Sequence, residues 1–292
     1  MKFAIRHLTT YEYASSVTYS HCALRLLPID EPGQHVEDSG LAIDPLPAET
    51  GERICFFQNR VTSITIDAPH RELKIEARSS VVVSRDPPTP SEATTGWEAV
   101  REAAFATLEL GSGSPAHYLY PSRFVPRFQP AAAYARESFG QGRSALAGAA
   151  ELMHRIRADF RYDSKATVVS TPLWEAFEKR RGVCQDFAHI MIAGLRGIGV
   201  PAAYVSGYIR TIPPEGKPRL EGADATHAWV SAWCGDKLGW VGFDPTNACM
   251  IGNDHIVLAR GRDYADISPI SGIVLGAREQ EIVVKVDVIP VG

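Results

Sequence analysis

The apolar residues of this chain follow two different periods, and this change of period limits the possible folds more than any other feature. Up to about residue 90, short β-branched runs such as Val61–Ile66 and Val81–Val83 lie between turn-forming residues, as in the strands of a β-sandwich or a β-barrel. From Thr95 onwards the apolar residues recur every three or four positions, as on one face of a helix. The pattern predicts an α+β protein with an antiparallel β-sandwich over residues 1–88 and a second domain over residues 89–292.

The clearest helix of the second domain begins beside Cys184. Gly182 permits a turn before it, Gly199 and Pro201 end it, and one face is apolar: Phe187, Ile190, Met191, Leu195 and Ile198. Cys184 therefore lies in the first turn, where unpaired backbone N–H groups and the positive end of the helix dipole stabilise a thiolate or an oxyanion. Taken alone, this position suits a buried structural cysteine equally well.

Two strand-like segments then supply a histidine and an aspartate. His227 lies in the segment Thr226–Trp233, and Asp244 ends the segment Gly239–Asp244. A two-residue hairpin turn at Gly235 and Asp236 would place His227 directly opposite Asp244, and a longer loop over residues 235–238 would make them diagonal neighbours on the same face. Either register predicts that the two side chains lie side by side. A cysteine, a base and an acceptor that orients the base are the set that covalent acyl transfer requires.

Composition limits the kinds of binding partner and the cellular compartment that we expect for this protein. The chain has 34 acidic and 30 basic side chains and a formal net charge of -4, which favours neither nucleic acid nor an anionic membrane as partner. It has no N-terminal apolar stretch of signal-peptide length and no apolar run long enough to span a bilayer, so we expect a cytoplasmic protein. Its 5 cysteines include no CxxC pair, which argues against a disulfide framework and a structural zinc site.

Short motifs around the three residues resemble the core of the transglutaminase-like superfamily, which has a papain-type fold. The family's Gly-x-Cys, His-x-Trp and Asp-Pro-Thr motifs stand here as Gly182-Val183-Cys184, His227-Ala228-Trp229 and Asp244-Pro245-Thr246. Further segments resemble the bacterial branch and its N-terminal β region: His7–Tyr13, Leu24–Pro28, Leu195–Ala202, Tyr204–Tyr208 and Gly261–Pro269. The resemblance covers nearly the whole chain.

This resemblance implies roles for the three motif residues. Cys184 is the nucleophile, His227 the general base and then acid, and Asp244 the residue that orients the imidazole. The implied fold is a papain-like core of helices packed on an antiparallel sheet, and the implied activity is acyl transfer from amide bonds of a peptide or protein substrate. Water as acceptor gives a cysteine peptidase or amidase, our leading hypothesis, whereas a primary amine gives a transglutaminase.

Three other residues are candidates for substrate contacts. Gln185 follows the cysteine directly, Trp229 shares the predicted strand face of His227, and Arg262 opens a polar loop near the C-terminal signature. The alternative for Arg262 is a structural role in a loop that it holds together with Asp266.

Some features of the family are not transferred to this chain. Animal members have a tryptophan well upstream of the cysteine that helps to hold the oxyanion, but the nearest one here, Trp174, precedes Cys184 by only 10 positions. No acidic calcium-binding loop is recognisable, so no cofactor and no metal are predicted. Two alternatives stay open: a catalytically silent scaffold, and a mononuclear metal site formed by Cys184, His227 and Asp244. The oligomeric state is left open.

Overall fold

The structure is a computed structural model that describes residues 1–86, 88, 95–211, 222 and 225–291. Its strands are β1 (Lys2–Val17), β2 (Tyr19–Leu24), β3 (Gln34–Asp44), β4 (Glu49–Ile54), β5 (Arg60–Ile66), β6 (His70–Val83), β7 (Arg161–Tyr162), β8 (Arg181–Gly182), β9 (Ala202–Ile209), β10 (Ala225–Trp233), β11 (Trp240–Asp244), β12 (Cys249–Met250), β13 (His255–Gly261), β14 (Ile270–Leu275) and β15 (Gln280–Pro290). Its α-helices are α1 (Trp97–Ala106), α2 (Gln129–Arg136), α3 (Ala145–Asp159), α4 (Leu173–Lys179), α5 (Cys184–Ile198) and α6 (Tyr264–Ile267). Among the described residues, none of these helices combines the length and apolar content needed to cross a bilayer.

Two antiparallel four-stranded sheets form the β-sandwich, in the orders β15-β1-β6-β3 and β14-β2-β5-β4. Alternating residues of the strands fill the space between the sheets, among them Ile64 and Ile66 of β5 and Leu73 and Ile75 of β6. Strands β14 and β15 come from the C-terminal end of the chain and pair with β2 and β1. The sandwich therefore takes strands from both ends, and the boundary at residue 88, next to residues outside the described ranges, stays a prediction.

The second part of the protein is built on an antiparallel sheet in the order β12-β11-β10-β9-β13. One face packs against the helices, where Tyr204 and Phe243 join a core with Phe187 of α5. The other face packs against the sandwich, where Tyr208 and Leu258 contact residues of β1, β6 and β15. Burial on both faces explains why seven of the eight residues of β9 are buried.

Helix α5 is surrounded by other elements rather than buried along one face. Every residue from Asp186 to Ile198 is buried except Gly197, because the sheet covers one side while α2, α3 and α4 cover the others. Its predicted end is confirmed: Gly199 caps the helix in the left-handed conformation, with φ of 89°. The buried guanidinium of Arg196 donates to the carbonyls of Ala202 and Tyr120, which ties the helix to the following strand and to the loop before α2.

The hairpin between β10 and β11 has the longer of the two predicted loops. Val230 pairs with Phe243 and Trp233 with Trp240, and the loop is closed by the N–H of Cys234 donating to the carbonyl of Gly239 at 2.8 Å. Gly235 has φ of 93°, a conformation that favours glycine and lets the chain leave β10 at this point. Asp244 is therefore a diagonal neighbour of His227.

Candidate active site

The first turn of α5 is held by a buried aspartate. Asp186 Oδ2 accepts hydrogen bonds from the N–H of Val183 at 2.8 Å and from Thr167 Oγ1 at 2.6 Å, so it caps one of the free donors of the helix start. Burial raises the pKa of Asp186, and these two hydrogen bonds offset only part of that effect. Cys184 is the first helical residue and is partly buried. The sulfur therefore stands on a fixed turn at the positive end of the helix dipole.

Gly182 makes this arrangement possible. A Cβ atom at position 182 would lie 2.5 Å from Oδ2 of Asp186, a separation that real Cβ atoms do not adopt. The carboxylate reaches the N–H of Val183 only because position 182 has no side chain. Glycine is thus required at this position of the Gly-x-Cys motif because a side chain would clash with Asp186, not with the cysteine.

Tyr162 and Gln185 are neighbours of Cys184. The short parallel pair of β7 and β8 sets Tyr162 beside Gly182, and burial, followed by the charge of Cys184, raises the pKa of Tyr162. Gln185 Nε2 donates to the carbonyl of Val169 at 3.3 Å. Tyr162 was missed in the sequence because a two-residue strand leaves no periodic signal. A substrate contact by Gln185 stays a prediction.

His227 and Asp244 form a buried hydrogen-bonded pair. Nε2 of His227 lies 2.7 Å from Oδ2 of Asp244, and the two residues are 7% and 0% exposed. Burial by itself lowers the pKa of His227, but hydrogen bonds to Asp244 and to Cys184 outweigh it and raise the pKa to about 10. Since Nε2 faces the carboxylate, Nδ1 is the nitrogen left for the sulfur. The predicted side-by-side placement of the two residues is observed.

The carboxylate of Asp244 accepts five hydrogen bonds. Oδ2 accepts from His227, from Asn247 Nδ2 at 2.7 Å and from His255 Nε2 at 3.3 Å. Oδ1 accepts from the N–H groups of Thr246 and Asn247 at 2.9 and 3.1 Å. Burial pushes the pKa of Asp244 upwards, but the donors, led by His227 and His255, hold it well below its usual range. Asp244 is therefore ionised at neutral pH and fixed in orientation.

Asn247 and His255 are two further site residues that sequence reasoning missed. Asn247 stands three positions after Asp244, in a turn that folds back on the carboxylate. His255 begins β13, at the far edge of the sheet order from β11, and its ring is 4% exposed. For His255, the sequence signal that could have been used is its place at the start of an apolar run, His255–Leu258.

The same cluster offers ligand atoms for a metal ion. The side chains of His227, Asp244 and His255 each present one such atom, and these atoms all lie within 4.8 Å of one another. This set differs from the predicted alternative, which used Cys184 in place of His255. A cation here would need a lone pair on each of the two imidazole nitrogens. In the hydrogen-bonded arrangement those nitrogens carry protons and donate to Asp244 instead.

The other two residues predicted to contact substrate, Trp229 and Arg262, both have structural partners. Trp229 is 0% exposed and packs with Ile29, Val205 and Val257, so the expectation that it contacts substrate is wrong. It does share the strand face of His227, but the sandwich covers that part of the face. Arg262 makes a two-pronged ion pair with Asp266 at 2.8 and 2.9 Å. This is the structural role named as its alternative, and a substrate contact by Arg262 stays a prediction.

Replacement of Gly182 by alanine tests the steric argument. The added Cβ would displace the Asp186 carboxylate and uncap α5, so we expect a loss of about 1–3 kcal/mol in the free energy of unfolding, measured by urea denaturation. Gly140→Ala is the matched control, because a Cβ at Gly140 meets nothing within 4 Å and should change stability by less than about 0.5 kcal/mol. Equal stability of the two variants would contradict the argument.

Comparisons with known proteins agree with the observed architecture. The model of the bacterial transglutaminase-like N-terminal region matches residues 3–82, and that of the transglutaminase-like superfamily matches residues 132–245. The solved structure of a proposed cysteine protease from Cytophaga hutchinsonii superposes with a TM-score of 0.78 at 22% identity, covering 100% of this chain and 92% of that one. This similarity supports the fold: an N-terminal β-sandwich and a papain-like core.

Relatives at the level of sequence extend over the full length. An uncharacterized protein of Mycobacterium tuberculosis is 39% identical over 99% of this chain and 93% of its own length. Another, from Mycobacterium leprae, is 32% identical over 98% of both chains. A protein-glutamine gamma-glutamyltransferase of Pseudomonas aeruginosa is 38% identical over 24% of this chain and 10% of its own length. With both family models matched in order along one chain, the protein belongs to the transglutaminase-like superfamily.

Proposed function

We propose that the protein is a thiol enzyme that breaks amide bonds of a peptide or protein through an acyl-enzyme on Cys184. The observation that carries this proposal is the buried hydrogen bond between His227 and Asp244; Asp244 and the neighbouring Cys184 outweigh the effect of burial and raise the pKa of the imidazole to about 10. At neutral pH such an imidazole holds its proton. It can therefore pair with a thiolate and later act as an acid.

The first half of the reaction releases an amine. The Cys184 thiolate attacks the carbonyl carbon, and the π electrons of the C=O bond move to its oxygen. We expect the oxyanion to be stabilised by the free N–H groups and the positive dipole end of the first turn of α5. The C–N bond then breaks as the His227 imidazolium gives its proton to the leaving nitrogen, which leaves a thioester on Cys184.

The second half returns the enzyme to its starting state. Neutral His227 takes a proton from the incoming nucleophile, which attacks the thioester carbon and expels the Cys184 thiolate. Asp244 keeps the ring in one orientation and stabilises its positive charge in both halves. We propose water as the usual nucleophile, giving a peptidase or amidase. The alternative is a primary amine, giving a transamidase, and the name of the Pseudomonas relative favours testing it.

The decisive measurement is intact-mass detection of an acyl group on Cys184. The protein is mixed with glutamine-containing peptides, with and without methylamine. Peptide fragments or an amide-to-acid change would mean hydrolysis, whereas methylamine joined to the peptide would mean transfer. A silent scaffold predicts no adduct and alkylation of Cys184 no faster than of Cys22 or Cys55 at neutral pH. Metal analysis of the purified protein tests the metal-site alternative.

A further inference from the structure

His255 is a second buried histidine in contact with the Asp244 carboxylate. Its Nε2 lies 3.3 Å from Oδ2 of Asp244, and its ring packs edge-on against Trp229 with centroids 5.3 Å apart. The ring of His227 is farther away, at 6.4 Å between centroids. The hydrogen bond between His255 and the triad is therefore the one to Asp244.

A backbone N–H group determines which ring nitrogen of His255 carries the proton. The N–H of Gly252 donates to Nδ1 of His255 at 3.4 Å, so Nδ1 is the acceptor nitrogen and Nε2 carries the proton towards Asp244. Two imidazole N–H groups thus meet on one carboxylate oxygen. Rotation of the Asp244 carboxylate would break the hydrogen bonds from all of these fixed donors. The His255 imidazole therefore helps to fix the orientation of the carboxylate plane.

The segment that carries His255 is anchored to the sandwich by a buried ion pair. The guanidinium of Arg85 donates to the carbonyl of His255 and, at 2.6 Å, to Glu31. The N–H of Arg85 donates to Oδ1 of Asn253 at 2.8 Å, and the N–H of Val257 donates to Gln34. The side chains of Arg85 and Glu31 are 9% and 5% exposed, so the loops of the sandwich fix the backbone on both sides of His255.

We propose that His255 is a positioning residue for the triad. It orients the Asp244 carboxylate towards His227 and transmits the placement of the sandwich loops to the candidate active site. This inference rests on the proposed function for its effect on turnover, but its effect on the His227–Asp244 hydrogen bond is independent of any substrate.

Two polar substitutions separate this role from general packing. Glutamine at position 255 places an Nε2 donor where the imidazole has one, whereas asparagine keeps only a group equivalent to Nδ1. We expect His255→Asn to slow iodoacetamide alkylation of Cys184 at pH 7 by roughly ten- to a hundredfold, the loss typical of one hydrogen bond to an ionised group. His255→Gln should stay within about threefold of the natural protein, because the donor to the carboxylate is restored. Peptide mapping by mass spectrometry assigns the alkylated cysteine.

Proton NMR supplies a second readout that needs no reactive cysteine. The proton between His227 Nε2 and Asp244 Oδ2 should give a low-field resonance. It should move upfield or broaden in His255→Asn and be retained in His255→Gln. If the asparagine variant fails to fold, His255→Phe, which keeps the ring against Trp229 but has no donor, should give the same loss in both measurements.

A buried histidine elsewhere provides the matched control. His7 is 2% exposed and hydrogen-bonds Tyr208 and Thr9, so His7→Asn should lower stability without changing the alkylation rate or the NMR signal. Equal behaviour of His255→Asn and His255→Gln in both measurements would overturn the proposal. If instead the peptides never acylate Cys184 while the NMR difference persists, the proposed function fails and the positioning role stands.

Discussion

Replacement of Cys184 by alanine is expected to lower turnover by roughly 10⁴- to 10⁶-fold, the range seen when a nucleophile is removed from a triad that acts as a unit. The substitution removes only the sulfur, and alanine has a higher helix propensity than cysteine. Fold and stability should therefore change little, as checked by circular dichroism and thermal unfolding. Turnover and the acyl-enzyme mass are measured with the peptides that acylate the natural protein.

Cys55 is the matched control for this substitution. Like Cys184 it is a free and partly buried cysteine, but it lies in the turn between β4 and β5 of the sandwich. Cys55→Ala should leave both turnover and the acyl-enzyme unchanged. If Cys184→Ala retained turnover, or if Cys55→Ala abolished it, covalent catalysis by Cys184 would be ruled out.

The fold of the helical part was predictable because its signals are local. Ser144 accepts from the N–H of Ala147 at 3.1 Å as the cap of α3, and a serine directly before an apolar-periodic run is the usual sequence signal for such a cap. Gly199 likewise marks the end of α5. Such signals depend on residues within one or two turns, so they survive whatever tertiary structure surrounds them.

Strand partners were less predictable because they depend on residues far apart in the sequence. The pairing of β15 with β1 joins Phe3 to Pro290, and nothing in the period of either strand indicates the other. The sandwich also covers one face of β10, and this contact likewise joins residues that are far apart in the sequence. It is the reason why Trp229, correctly placed on the face of His227, is buried instead of exposed to substrate.

The candidate triad could be predicted because its geometry follows from one hairpin and one helix start. The residues around it could not, since each comes from a different element. His255 approaches from β13, across the sheet, and Thr167 approaches from a loop before α4. Local pattern therefore locates the reacting groups, while the supporting hydrogen bonds become visible only in three dimensions.

Asp244→Asn is expected to lower turnover by roughly 10⁴-fold, as in a triad that loses only the charge of its orienting residue. Asparagine keeps the size of the side chain but cannot balance the imidazolium charge of His227. The matched control is Asp287→Asn, because Asp287 is also buried, at 5% exposure, but accepts from the N–H of Gly222 instead. Turnover of that variant should stay within about threefold of the natural protein, because Asp287 belongs to β15 of the sandwich, where it lies opposite Arg6 of β1.

The pH dependence of the Asp244→Asn variant gives the sharper test. In the natural protein the pKa of His227 is raised from 6.5 to about 10, so the imidazolium persists through neutral pH and is lost only as the pH rises through that value. Its contribution to folding is complete below pH 6.5 and declines between the two values. Without the carboxylate, burial lowers the pKa of His227 again. Both the alkaline limb of turnover, which needs the imidazolium as acid, and the decline in the free energy of unfolding should then move to lower pH. An unchanged alkaline limb would mean that Asp244 does not support the charge of His227, and the acid role assigned to this histidine would lose its basis.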